Sequence, residues 1–212
     1  MNWWIELFIY LCRLSTVTYD IGQALALDAL WTLNEVCEQV TDDQLGLPTP
    51  CTGWNLSTLL DHMTGQHRGI AASLSGAAED LDAWRPLPVG PGRVDLFASI
   101  QAVRDRLLTE LPPSAWLPEV APTPLPSAVV VRAHLVDTVA HGWDVAATIG
   151  GPVRFSPATL AAAYQVARQI SDGPERDRPG SAFAHALPGG DEPTLAGYLA
   201  LLGRDIAWSP VG

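Results

Sequence analysis

VVVRAHLVDTVAHGWDVAATIG, Val129 to Gly150, is the stretch whose reading decides the fold. Val130, Val131, Leu135, Val139, Val145 and Ala146 recur at roughly helical spacing, Gly150 and Gly151 supply an end, and Pro152 prevents continuation. One long helix is predicted. On it Asp137 and His141 stand four residues apart. At about 100° per residue this brings a carboxylate and an imidazole to within about 40° of each other on one face. The helical H-x-x-x-H pair of zinc sites uses the same offset, and a carboxylate in place of one imidazole suits a divalent metal equally well. His134 shares the face but lies about 10 Å from His141 along the axis, too far for both to ligate one ion.

Two ligands on one helix leave a divalent metal under-coordinated, so a third must come from elsewhere. The best candidate is His62 in TGWNLSTLLDHMTGQH, Thr52 to His67, where Leu56, Leu59, Leu60 and Met63 outline an apolar stripe and His62 lies close to its edge. In a bundle such a residue faces a neighbouring helix. The plainer reading is a packed core histidine, the commoner role for a single His on an apolar face.

Working outward, Ile21, Leu25, Leu27, Leu30, Leu33, Val36 and Val40 mark a first helix from about Asp20 to Val40, which a loop containing Pro48, Pro50 and Gly53 stops. Asn55 or Thr52 caps a second helix running to about Leu74. A crossover rich in Pro and Gly leads to a third helix, marked by Val94, Phe97, Ile100, Val103, Leu107 and Leu108 and ending at Pro112. Pro118, Pro122, Pro124 and Pro126 hold an extended approach to the helix described first. Beyond Gly151 a helix from Pro157 to Ile170 and a short one from Leu195 to Leu202 flank a polar stretch. Four main helices with two long connections predict an all-α bundle whose facing helices can build a metal site in the core.

The segments TPCTGWNLSTLLDHM (Thr49 to Met63) and HLVDTVAHGWDVAATIG (His134 to Gly150) resemble the two signature blocks of the DinB-like superfamily. The nearer likeness is to its actinobacterial metal-binding branch, related to the mycothiol-dependent maleylpyruvate isomerase N-terminal domain. LALLGRDIAW, Leu199 to Trp208, is similar to the usual end of that branch, and the resemblance runs from about Tyr19 onward. It implies a DinB-like four-helix bundle over residues 18–151, a helical tail over 152–212 packed on it, and an N-terminal extension, 1–17, outside the family fold. It also implies that His62, Asp137 and His141 hold a divalent metal, zinc foremost and nickel as an alternative. The isomerase has Glu where this chain has Asp137.

The function so implied is that of a thiol-dependent transferase or isomerase. A low-molecular-weight thiol such as mycothiol would serve as cofactor and a small electrophile as substrate. Residues 152–212 are too few to reproduce the isomerase's separate C-terminal domain, which favours transfer over isomerisation. The alternative is a non-catalytic module in which the metal staples helices two and four and the surface serves a partner.

Composition narrows the classes. With 212 residues and 48% hydrophobic content the chain can bury one core without needing two domains. A net charge of -11 with scattered cations excludes nucleic acid as an expected partner. Cys12, Cys37 and Cys51 are odd in number and lack C-x-x-C spacing, so a cytoplasmic protein without a disulfide framework is expected. A monomer or homodimer is expected, with nothing in the sequence to choose between them. WWIELFIYLC, Trp3 to Cys12, is too short to span a bilayer and lacks a signal peptide's basic start and cleavage site.

Among the remaining residues, Trp54 and Trp143 are expected as pocket walls or plain core aromatics. Asp144 is three residues after His141, where it can orient the ring or, as the commoner role, be solvated on the helix surface. His67 lies about 140° round the helix from His62 and is expected to point away. Cys51 is expected to close a turn, His185 to lie on the surface, and Arg132 is a candidate for an anionic substrate. No phosphate loop and no G-x-S-x-G are present.

Overall fold

The computed structural model describes residues 19–77, 80–178 and 180–210; the N-terminal segment Trp3 to Cys12 lies outside them. The main elements are helices α1 (Tyr19–Glu38), α2 (Leu56–Leu74), α3 (Val94–Leu107), α4 (Ser127–Ile149), α5 (Pro157–Ala167) and α6 (Leu195–Leu201). The extended, proline-rich approach to α4 contains a small element absent from the sequence reading. Strands β1 (Ser114–Ala115) and β2 (Leu125–Pro126) pair antiparallel, Ser114 opposite Pro126 and Ala115 opposite Leu125.

Local chemistry sets the helix ends. The Asn55 side chain accepts from the Thr58 N–H and caps α2, and Ser156 accepts from Thr159 N–H with Pro157 at the first helical position of α5. Gly150, at φ 66°, takes the left-handed conformation that ends α4.

α1 packs against α4 and α3, and α2 packs against α3 and α4. This arrangement puts α2 beside α4, so residues on their facing sides meet. Leu30 and Leu33 of α1, Leu56, Leu59, Leu60 and Met63 of α2, Leu96 and Ile100 of α3, and Val130 and Val139 of α4 are buried in the shared core. Each buried Leu contributes about 1.5–3 kcal/mol relative to an exposed one.

The C-terminal tail completes the enclosure. α5 packs on α4 and α1, and α6 packs on α5. Tyr198 of α6 is fully buried, and its hydroxyl donates to the Val136 carbonyl of α4. In consequence 17 of the 23 residues of α4 are buried, so a polar side chain there must find its partner inside the protein.

The crossover between α2 and α3 lies hard against α2. A Cβ built on Gly69 would stand 2.2 Å from the Trp84 ring, and one on Gly65 would stand 2.6 Å from the Arg85 carbonyl oxygen. Both positions need glycine for this close approach of chain to helix.

Candidate metal centre

α2 and α4 bring His62, Asp137 and His141 together, with one ligand atom from each lying within 4.8 Å of the others. His141 Nε2 is 3.2 Å from Asp137 Oδ1, and the His62 and His141 rings meet edge to face with centroids 5.3 Å apart. Ligands at about 2.0–2.2 Å from a tetrahedral zinc stand about 3.4 Å from one another, so small side-chain adjustments suffice to close this group on a cation. Two nitrogens and one carboxylate oxygen are a donor set that a borderline divalent metal accepts. The Asp137 side chain is 35% exposed and His62 is partly buried, so the group opens toward solvent on one side.

The electrostatics are those of an ion cluster at the edge of a core. Burial lowers the pKa of His62 and leaves it a neutral nitrogen donor. For His141 burial acts in the same direction, but the Asp137 carboxylate and hydrogen bonds to Asp137 and Asp144 outweigh it and raise the pKa well above the ordinary value. Asp137 is held below the usual carboxylate range by His141, against the effect of burial. The proton on His141 Nε2 therefore faces the Asp137 carboxylate, 3.2 Å away.

Asp144 corrects the expectation of a solvated surface residue. It is fully buried because α5 and the tail cover that side of α4. Its Oδ2 lies 2.8 Å from His141 Nδ1 and accepts from the Cys51 thiol at 3.3 Å. Arg204 Nε donates to Asp144 Oδ1 at 2.9 Å and Arg204 Nη2 donates to Oδ2 at 3.0 Å. Cys51, His141 and Asp144 also have ligand atoms within 4.8 Å of one another. The positive charge against that second group is already the Arg204 guanidinium, whose Nη2 also lies 3.7 Å from Cys51 Sγ.

His67 is not one of the three donors. It is buried, and its ring meets that of His134 edge to face at 5.3 Å. His62 meets His141 and His67 meets His134, so the two histidines of α2 face α4 at successive points along the same helix pair. His67 Nδ1 and His134 Nε2 are buried without a hydrogen-bond partner. Burial, first of all, pushes the pKa of His67 down to about 3 and that of His134 to about 4.

Of the two tryptophans, Trp54 packs against His62 with ring centroids 4.9 Å apart, while Trp143 is a buried core aromatic. His185 is exposed, with ring nitrogens 2.7 Å from Asp172 Oδ1 and 3.0 Å from Asp177 Oδ1. Cys51 closes a turn with Thr49 and Trp54, Trp54 N–H donating to the Cys51 carbonyl at 2.9 Å. Sequence reasoning singled out neither Arg204 nor Glu119, whose Oε1 accepts from Gln66 Nε2 at 2.6 Å one turn along α2 from His62. One Arg among several in the tail, just after a short apolar helix, carries no pattern that announces a buried partner.

Two surface grooves lie away from this centre. One of about 520 Å³ is lined by α1 and the end of α3, the other of about 280 Å³ by α1 and the segment after α4, and neither includes a candidate ligand.

The fold and the arrangement of its helices define an all-α bundle of the DinB-like kind. The chain belongs to the mycothiol maleylpyruvate isomerase N-terminal domain family, whose model matches residues 27–146. It is similar to two uncharacterized Mycobacterium tuberculosis proteins, from strains CDC 1551 and H37Rv. Each is 27% identical over 173 residues, covering 79% of this chain and 88% of the relative. No solved structure matches it significantly. The resemblance seen in the two sequence blocks is thus the family itself. Among the described residues no helix is long and apolar enough to cross a membrane.

Proposed function

We propose that His62, Asp137 and His141 bind one divalent metal ion, zinc foremost, and that the metal serves thiol-dependent chemistry on a small electrophile. The observation that carries this reading is the convergence of three donor atoms from two facing helices within 4.8 Å, on a group whose Asp137 side is 35% exposed. Three protein ligands with an open side are the pattern of a catalytic metal, whereas a structural zinc is closed by four. The family name supplies the thiol: mycothiol, or another low-molecular-weight thiol, is the expected co-reactant.

A divalent ion bound there supplies positive charge that favours the thiolate form of a small thiol. The protein's own part is to hold and orient. His62 and His141 present nitrogen, Asp137 presents oxygen, and Trp54 forms an apolar wall against His62. Asp144 accepts from His141 Nδ1 and leaves Nε2 for the ligand position. The functional unit on this reading is the bundle of residues 18–151 with the tail of 152–212 packed on it, a cytoplasmic monomer or homodimer. Transfer of the thiol to an electrophile and thiol-assisted isomerisation both fit this reading.

A second reading is a metal-stapled module without turnover. The specific observation favouring it is that the three donors come from two packed helices, α2 and α4, which one ion would cross-link. One experiment separates the two. Metal-loaded protein is assayed with a panel of small thiols and electrophiles, and its melting temperature is compared with that of the metal-free protein. Thiol-dependent consumption of an electrophile supports the enzyme. A large metal-dependent rise in melting temperature with no consumption anywhere in the panel supports the staple. Absence of metal binding sinks both.

A further inference from the structure

The family match ends at residue 146, yet the most enclosed polar contact at the candidate centre reaches beyond it, to Arg204 in the tail. We infer that Arg204 and Asp144 are a positioning pair for His141, so that the C-terminal segment sets which ring nitrogen faces the metal position. This rests on the proposed metal reading for its consequence, though the contact itself does not depend on a metal.

The chain of contacts is continuous. Gly203, at φ 72°, makes the turn after α6, where a Cβ would come within 2.6 Å of the Ala184 carbonyl oxygen. That turn delivers Arg204, 9% exposed, to Asp144, 0% exposed. Arg204 Nε and Nη2 take one carboxylate oxygen each, the fork geometry that fixes the plane of a carboxylate. With the plane fixed, Oδ2 is held 2.8 Å from His141 Nδ1. Nδ1 then carries a proton and Nε2 is the atom turned toward Asp137, 3.2 Å away. A structural ion pair would need no imidazole on the same oxygen. Here the guanidinium, the carboxylate and the ring form one relay from the tail to the proposed ligand.

The test replaces the pair by apolar residues of similar size, Asp144→Leu with Arg204→Met, which removes both charges together and keeps the volume. Two readouts are taken: the slowly exchanging His141 Nδ1 proton by NMR in metal-free protein, and zinc affinity by competition with a chelator. Loss of the Nδ1 proton signal and a 10- to 100-fold loss of zinc affinity in the folded double variant are expected, the range typical of a lost outer partner of a histidine ligand. Wild-type affinity in that variant, or a retained Nδ1 signal, overturns the inference. If the double variant does not fold, Arg204→Lys decides. Its single ammonium cannot hold both oxygens, so a weakened signal and lower affinity are expected, and unchanged values overturn the proposal. Wild-type protein that binds no zinc but loses the Nδ1 signal on substitution separates failure of the metal reading from failure of this one.

Discussion

His141 Nε2 lies 3.2 Å from Asp137 Oδ1 across one turn of α4, while the other nitrogen of the same ring lies 2.8 Å from Asp144. The imidazole is thus held between two carboxylates, one half open to solvent and one fully enclosed. The open side is where a cation is expected to displace the Nε2 proton.

The ligand assignment predicts an ordered substitution series. His62→Ala and His141→Ala each abolish stoichiometric metal, Asp137→Ala weakens it strongly, and His134→Ala leaves it bound, because His134 packs against His67 and is not one of the three donors. Metal content is measured by elemental analysis after dialysis against a weak chelator. Full occupancy in a folded His62→Ala protein would falsify the assignment.

Acid should destabilise the fold through the His67–His134 pair. Both pKa values are depressed by burial, to about 3 and about 4, against about 6.5 for unfolded histidine. Between these limits the unfolded chain binds more protons than the folded one, so stability rises with pH across that window and is complete above it. The nearby groups are Asp137, which opposes the depression in both, and for His67 also His62 and His141, which add to it. Urea midpoints measured from pH 7 down to pH 4.5 should fall, and the fall should be smaller in a folded His67→Phe variant. An identical slope in the two proteins would assign the effect to other groups.

Gly69→Ala should destabilise the protein by about 1–3 kcal/mol, the cost of an inserted methyl in a packed interface. The new Cβ meets the Trp84 ring, packed between α2 and the crossover to α3. Trp84→Ala in the same background relieves the clash, so a double-mutant cycle by denaturant unfolding should show strong coupling. Additive effects would mean that the crossover yields freely.

Any turnover should require an added small thiol. Cys51, whose ligand atom lies nearest the centre among the described cysteines, donates to Asp144 Oδ2, which sits on the Nδ1 side of His141, so it is not placed to replace an external thiol beside Nε2. The check is electrophile consumption in protein freed of small thiols, alongside Cys51→Ala. Activity that persists without thiol, or that vanishes only in Cys51→Ala, would move the nucleophile into the protein.

The helices were legible because their causes are local. The apolar repeat of α4, the stop at Gly150 and Pro152, and the Asn55 cap of α2 follow from residue spacing and backbone chemistry, and the structure places those elements within a few residues of expectation. The spacing from Asp137 to His141 was equally local, since one turn of helix carries both. What sequence could not contain is what covers each face. Spacing along one helix says only that Asp144 follows His141 by three residues, and nothing in it announces that a side chain from the tail will meet that carboxylate. Packing of α5 on α4, the position of Arg204 after the Gly203 turn, and the meeting of α2 with α4 join residues far apart in the chain. Burial and pairing depend on those long-range contacts, and only the folded chain brings the partners to the same place.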